Sequence, residues 1–157
     1  MYKVVAGASE VFGGERSFHV PNIDDFLAGI LGSDKPLTDK VLGSIEVFLM
    51  CFPQFQNRFG RSIYVDECTL EEHTRLALTM YLANYGKCHS ISDQIFFVKL
   101  LLIHDIGKPR AKAMQHIVTL YELNENVQGL FSEVDNRFAQ EIIGGPLGTY
   151  MSLTPEG

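Results

Sequence analysis

A chain of 157 residues in which 46% are hydrophobic, with 14 glycines and 6 prolines, has the size and composition of one globular domain with a real core. Its formal net charge of -6 and pI of about 5.3 argue against a nonspecific grip on nucleic acid, which needs a basic surface, and leave room for a small anionic substrate met by a local cation. Cys51, Cys68 and Cys88 are odd in number and show no CxxC spacing, which suggests neither a disulfide framework nor a zinc ribbon and fits a reducing compartment such as the cytoplasm.

Met1-Tyr2-Lys3 does not open a signal-peptide pattern, and no apolar run is long enough to span a bilayer, so no membrane association is expected. Residues 2–18 carry Gly7, Gly13 and Gly14 among short apolar pieces such as Val4-Val5-Ala6, which predicts an irregular segment or a short hairpin. Asn22 or Asp24 then caps a helix through Phe26, Leu27, Ile30 and Leu31, ended by Gly32. Thr38 opens a second helix with Val41, Leu42, Ile45, Phe48 and Leu49 on one face, stopped by Phe52-Pro53. Phe52, Phe55 and Phe59 recur at intervals of three and four, the spacing of a core stripe, and Arg58 and Arg61 beside them read as solvated charges or phosphate contacts. Residues 1–68 therefore read as an irregular segment with accessory helices packing on a core formed by residues 69–157.

That core opens at Thr69, which with Glu72 makes a capping box and places His73 just past the first helical turn. The face carrying His73 continues through Ala77, Met80 and Asn84 with Leu70 and Leu76 beside it, and is expected to point inward. Tyr85-Gly86 stops this helix, and Ser92 with Asp93 starts the next, leaving His89 on a connecting loop as a surface histidine. The new helix is an apolar run, Phe96-Phe97-Val98-Lys99-Leu100-Leu101-Leu102-Ile103, broken only by Lys99 and followed at once by His104-Asp105. Burying an imidazole beside a carboxylate is costly unless partners meet both. Two solutions exist: His104 bonds a carbonyl while Asp105 caps the following helix, or a divalent metal ion takes both as ligands. In an antiparallel helix pair His73 faces His104, so that three ligand-type side chains converge.

Gly107 lets the chain break and Pro109 suits the start of a further helix carrying Arg110, Lys112, His116 and Thr119, with Ala113, Ile117, Leu120 and Leu123 on its apolar side. Ser132 and Asp135 begin the last helix, whose buried face is read as Val134, Phe138, Ala139, Ile142 and Ile143 and which Gly144-Gly145-Pro146 ends. Six or seven helices with short links predict an all-α, single-domain helical bundle.

Glu72-His73-Thr74 followed by Leu101-Leu102-Ile103-His104-Asp105-Ile106-Gly107-Lys108 resembles the HD-domain superfamily, over roughly residues 69–150. The resemblance implies a helical bundle of the HD-domain type, a divalent metal held by His73, His104, Asp105 and a closing Asp, and metal-dependent hydrolysis of a nucleotide or another small phosphoester. Mn, Mg, Fe, Co, Ni and Zn all suit such a ligand set. Asp105 would be ligand, base or both, Lys108 a catalytic cation near the substrate phosphate, Arg110 a second contact to it, and His116 a contact to substrate or a second metal. Asp135 is the one Asp left after Asp105 to close the site, though it comes early; Glu141 is the substitute. The alternative is a catalytically degenerate HD module that binds or regulates, and the plainest reading is a helical interaction domain with no metal.

Overall fold

The computed structural model describes residues 22–60, 68–106 and 115–144. Among these residues seven α-helices and no strand occur: α1 (Ile23–Leu31), α2 (Leu37–Cys51), the short α3 (Gln56–Phe59), α4 (Leu70–Tyr85), α5 (Ile91–Ile103), α6 (Gln115–Glu125) and α7 (Glu133–Gly144). The all-α single-domain bundle is thus realised. The stretch 2–18, Arg61, Lys108, Arg110 and Ala113 lie outside the described residues.

Helix starts follow local chemistry. The Asn22 side chain accepts from the Asp24 amide at 3.0 Å, and Thr69 and Glu72 close the capping box with bonds of 3.1 and 2.9 Å. Ser132 accepts from the Asp135 amide at 3.2 Å, ahead of α7. Two starts differ from expectation. α2 begins at Leu37 behind Pro36, whose ring presets the entry, and not at Thr38. α5 begins at Ile91, one residue before Ser92, because the extended Ser90 accepts from the Asp93 amide at 3.1 Å and takes the capping role.

One core serves every helix from α1 to α7 except that α3 enters it through Phe59 alone. Phe48 of α2 sits at its centre, with the rings of Phe52, Phe55 and Phe59 at 5.5, 5.9 and 5.7 Å, so the aromatic stripe is core. Leu27 and Leu31 of α1, Leu78 and Leu82 of α4, and Val98, Leu102 and Ile103 of α5 pack into the same cluster. α1 and α2 are therefore built into the core that carries His104 and Asp105.

On α4 the buried stripe is Leu70, Thr74, Leu78 and Leu82, an i, i+4 row. Leu76 and Met80 are 58% and 55% exposed, so the His73 face runs along the rim and does not point into the bundle. The row of three leucines removes more apolar area from water than the mixed face does, and it wins the interior. α7 behaves alike: Ala139 and Ile143 are buried while Val134 and Phe138 are exposed, Phe138 stacking on Phe96 at 5.4 Å between ring centroids. Ile117 of α6 is exposed too, with Leu123 buried.

Lys99 does not break the buried run; it is 2% exposed itself. Its ammonium donates to Asp24 of α1 and to the Leu130 carbonyl, both at 2.6 Å, and lies 4.9 Å from the centroid of the Phe131 ring. A cation so held ties α1 and the α6–α7 connection to α5. Among the described residues no helix is long and apolar enough to cross a membrane.

Truncating Phe48 to Ala should lower stability by about 3–5 kcal/mol, read from denaturant unfolding, because the cavity opens at the centre of the aromatic cluster. Burial pushes the Cys51 thiol up to about 11, and burial aided by Asp93 pushes the Tyr81 phenol up to about 12, from ordinary values of 9.0 and 10.0. Both folded values are raised, so their stabilising effect is complete below the ordinary values and is lost as pH climbs through the folded ones. Urea midpoints should accordingly fall above about pH 9, less steeply in Tyr81→Phe. At neutral pH a thiol reagent should label the exposed Cys88 in the native protein and Cys51 only on unfolding.

Candidate metal centre

The connection between α4 and α5 is short, a single 3₁₀ turn at Gly86–Cys88 and two further residues, so the helices pack side by side and run antiparallel. The first turn of α4 is thereby brought beside the last turn of α5. His73 stands one turn after the Thr69 cap, its amide bonded to the Thr69 carbonyl at 3.0 Å. His104 is the C-cap of α5, with its amide on the Leu100 carbonyl at 2.9 Å; the chain then turns tightly, the Ile106 amide reaching the Ile103 carbonyl at 3.0 Å. That turn carries the Asp105 side chain inward.

Three groups meet there. Asp105 Oδ2 lies 2.8 Å from His73 Nε2 and 3.2 Å from His104 Nε2, and ligand atoms of all three residues lie within 4.8 Å of one another. Asp105 is only 3% exposed, whereas the side chains of His73 and His104 are 23% and 17% exposed. A buried carboxylate thus forms the floor, with two imidazoles giving onto solvent. The group could hold a metal ion.

The tautomer of His104 sharpens this reading. Its Nδ1 lies 2.9 Å from the Leu101 carbonyl, which can only accept, so Nδ1 carries the hydrogen. In the neutral ring Nε2 is then a lone pair directed at a carboxylate oxygen, two acceptors 3.2 Å apart. Such a contact is repulsive unless a proton or a metal cation lies between. The sequence offered a histidine on a carbonyl and a metal-binding histidine as alternatives; one ring does the first through Nδ1 and leaves Nε2 disposed for the second. Two imidazole nitrogens and a carboxylate oxygen suit a divalent first-row metal. The carbonyl end of the α5 dipole favours a cation at the same place.

The turn itself is braced from behind. Thr119 of α6 donates to the His104 carbonyl at 3.3 Å, and Arg58 of α3 donates to the Ile106 carbonyl at 3.4 Å. Arg58 also donates to Glu122 of α6 at 2.8 Å, with Glu122 1% exposed and accepting from Asn126 at 2.6 Å. Arg58 is therefore the partner of a buried carboxylate and not a freely solvated charge. The sequence pattern places Thr119 on this helix without a role and does not single out Glu122, although a single Glu between Leu120 and Leu123 on an apolar face is a signal.

No protein-family model, curated protein or solved structure matches the chain.

The other expected site residues are distributed differently. Asp135 belongs to the first turn of α7 and Glu141 to its exposed side, and neither is part of the cluster. His116 falls in the first turn of α6. His89, expected to be a plain surface histidine, is half-buried, with Nδ1 2.6 Å from the Tyr81 hydroxyl and its ring stacked on Phe97.

Removing one partner of the Arg58–Glu122 pair should cost about 3 kcal/mol in chemical unfolding, and the double variant Arg58→Met/Glu122→Leu should recover part of it, because the lone buried charge is the expensive state.

Proposed function

We propose that the chain is a metal-dependent phosphohydrolase of the HD type, acting on a small phosphoester or nucleotide. The observation that carries this reading is the convergence of His73 Nε2 and His104 Nε2 on one oxygen of the buried Asp105 carboxylate. Two imidazoles and one carboxylate are also the minimum that holds a divalent ion while leaving coordination positions open to water and substrate, the arrangement of catalytic more than structural sites. When bound, the ion supplies a Lewis acid that polarises a phosphoryl oxygen and makes a water acidic enough to attack.

The roles of the protein groups follow from their placement. His104, fixed through Nδ1 by the Leu101 carbonyl, and His73, fixed on the first turn of α4, present nitrogen ligands at a set spacing. Asp105 supplies the negative charge of the site and is assigned as the base for the attacking water. Lys108 and Arg110, close behind Asp105 in the sequence, are assigned to offset charge on the substrate phosphate. Mn, Mg, Fe, Co, Ni and Zn remain the candidate ions, because nitrogen and oxygen donors in this number suit all of them.

Elemental analysis of untagged protein, reconstituted with Mn or Mg and then desalted, should find about one equivalent of metal, lost in Asp105→Ala and His104→Ala. The reconstituted protein should hydrolyse members of a nucleotide and phosphoester panel, with at least a hundredfold loss in Asp105→Ala and weakening in acid as the nitrogen ligands protonate. Metal bound without turnover would assign the chain to the binding or regulatory alternative. Absence of metal binding in the reconstituted protein would remove both HD readings.

A further inference from the structure

The far end of the α4–α5 pair holds a cleft of about 450 Å³, a volume suited to a small-molecule ligand. Its walls come from the α1–α2 turn, the last turn of α4, the 3₁₀ turn after it and the start of α5. Leu31, Leu37 and Leu82 give it an apolar floor, and Lys35, Lys40 and Lys87 are the charged residues that line it. No carboxylate among the described residues lines it: Asp34, Asp39 and Asp93 are near in sequence and exposed, yet take no part in its walls. In a chain of net charge -6, lysines kept for solubility are ordinarily interspersed with acids; here three lysines line one concavity.

Two details make the cleft a prepared site. Lys40 Nζ donates to the Leu31 carbonyl at 3.0 Å, which anchors the ammonium at the rim with one of its three hydrogens and leaves two for a ligand. The Gln94 amide donates to the Gly86 and His89 carbonyls at 2.6 and 3.1 Å, fixing the opposite wall to α5. The cleft also reaches the first turn of α2, whose amides receive no side-chain cap behind Pro36.

We propose that this cleft binds a small polyphosphorylated anion, with its phosphoryl groups on Lys35, Lys40 and Lys87 and its apolar part against Leu31, Leu37 and Leu82. It is separate from the candidate metal centre. Leu82 stands nine positions along α4 from His73, about 13 Å at the helical rise. The proposal therefore stands whether or not the metal centre hydrolyses anything.

Isothermal titration of the chelator-treated Asp105→Ala protein with inorganic tripolyphosphate tests it, since that variant lacks the metal site as a rival for phosphate. Saturable 1:1 binding is expected. It should weaken at least tenfold in Lys35→Gln/Lys87→Gln, two exposed positions whose exchange leaves the core untouched, and fall steeply with added salt. Citrate, a multivalent carboxylate anion without phosphoryl groups, should bind more weakly. Lack of saturable binding up to about 10 mM tripolyphosphate, affinity unchanged in the double variant, or citrate binding as tightly would each overturn the proposal.

Discussion

A carboxylate that is almost out of contact with water must be met by hydrogen-bond donors or cations, and the arrangement around Asp105 answers that requirement. Two imidazoles come to the same oxygen, one from the start of α4 and one from the end of α5. That contact fixes much else. It requires the two helices to be antiparallel and close, which the short link at Gly86–Cys88 enforces, and it requires the turn after α5 to hold its shape. Thr119, and Arg58 backed by Glu122, supply the second condition by gripping the His104 and Ile106 carbonyls.

The same logic recurs at Lys99. Burial of an ammonium is tolerated because Asp24, the Leu130 carbonyl and the Phe131 ring all address it, and the result is a tie between α1, α5 and the connection into α7. Polar groups at three buried positions, Lys99, Asp105 and Glu122, thus join helices that are distant in sequence, while Phe48 and its neighbours supply the apolar area. The apolar cluster makes the bundle stable; the polar ties decide which side chains meet at its end.

The exposed rim of α4 has a different character. His73, Leu76 and Met80 lie along it, so the imidazole reaches Asp105 from the edge of the bundle and not from within. A half-open histidine is what a site needs if solvent and a small molecule are to enter, and a wholly buried one would have closed it.

Features governed by neighbours a few residues apart were readable from the sequence alone. The Thr69–Glu72 capping box, the Asn22 and Ser132 caps, the aromatic stripe from Phe52 to Phe59 and the all-α class depend on i, i+3 and i+4 relations that a linear pattern contains. His73, His104 and Asp105 also stood out by residue type at two helix ends, and the structure brings them together. Packing decided the rest. Which stripe of α4 or α7 is buried depends on the apolar area that neighbouring helices can cover, and this turned Leu76, Met80, Val134 and Phe138 outward. The partners of Lys99, Arg58 and Glu122, and the gathering of Lys35, Lys40 and Lys87 around one cleft, join residues far apart along the chain. No local periodicity encodes such meetings; they exist only once the helices have chosen their faces.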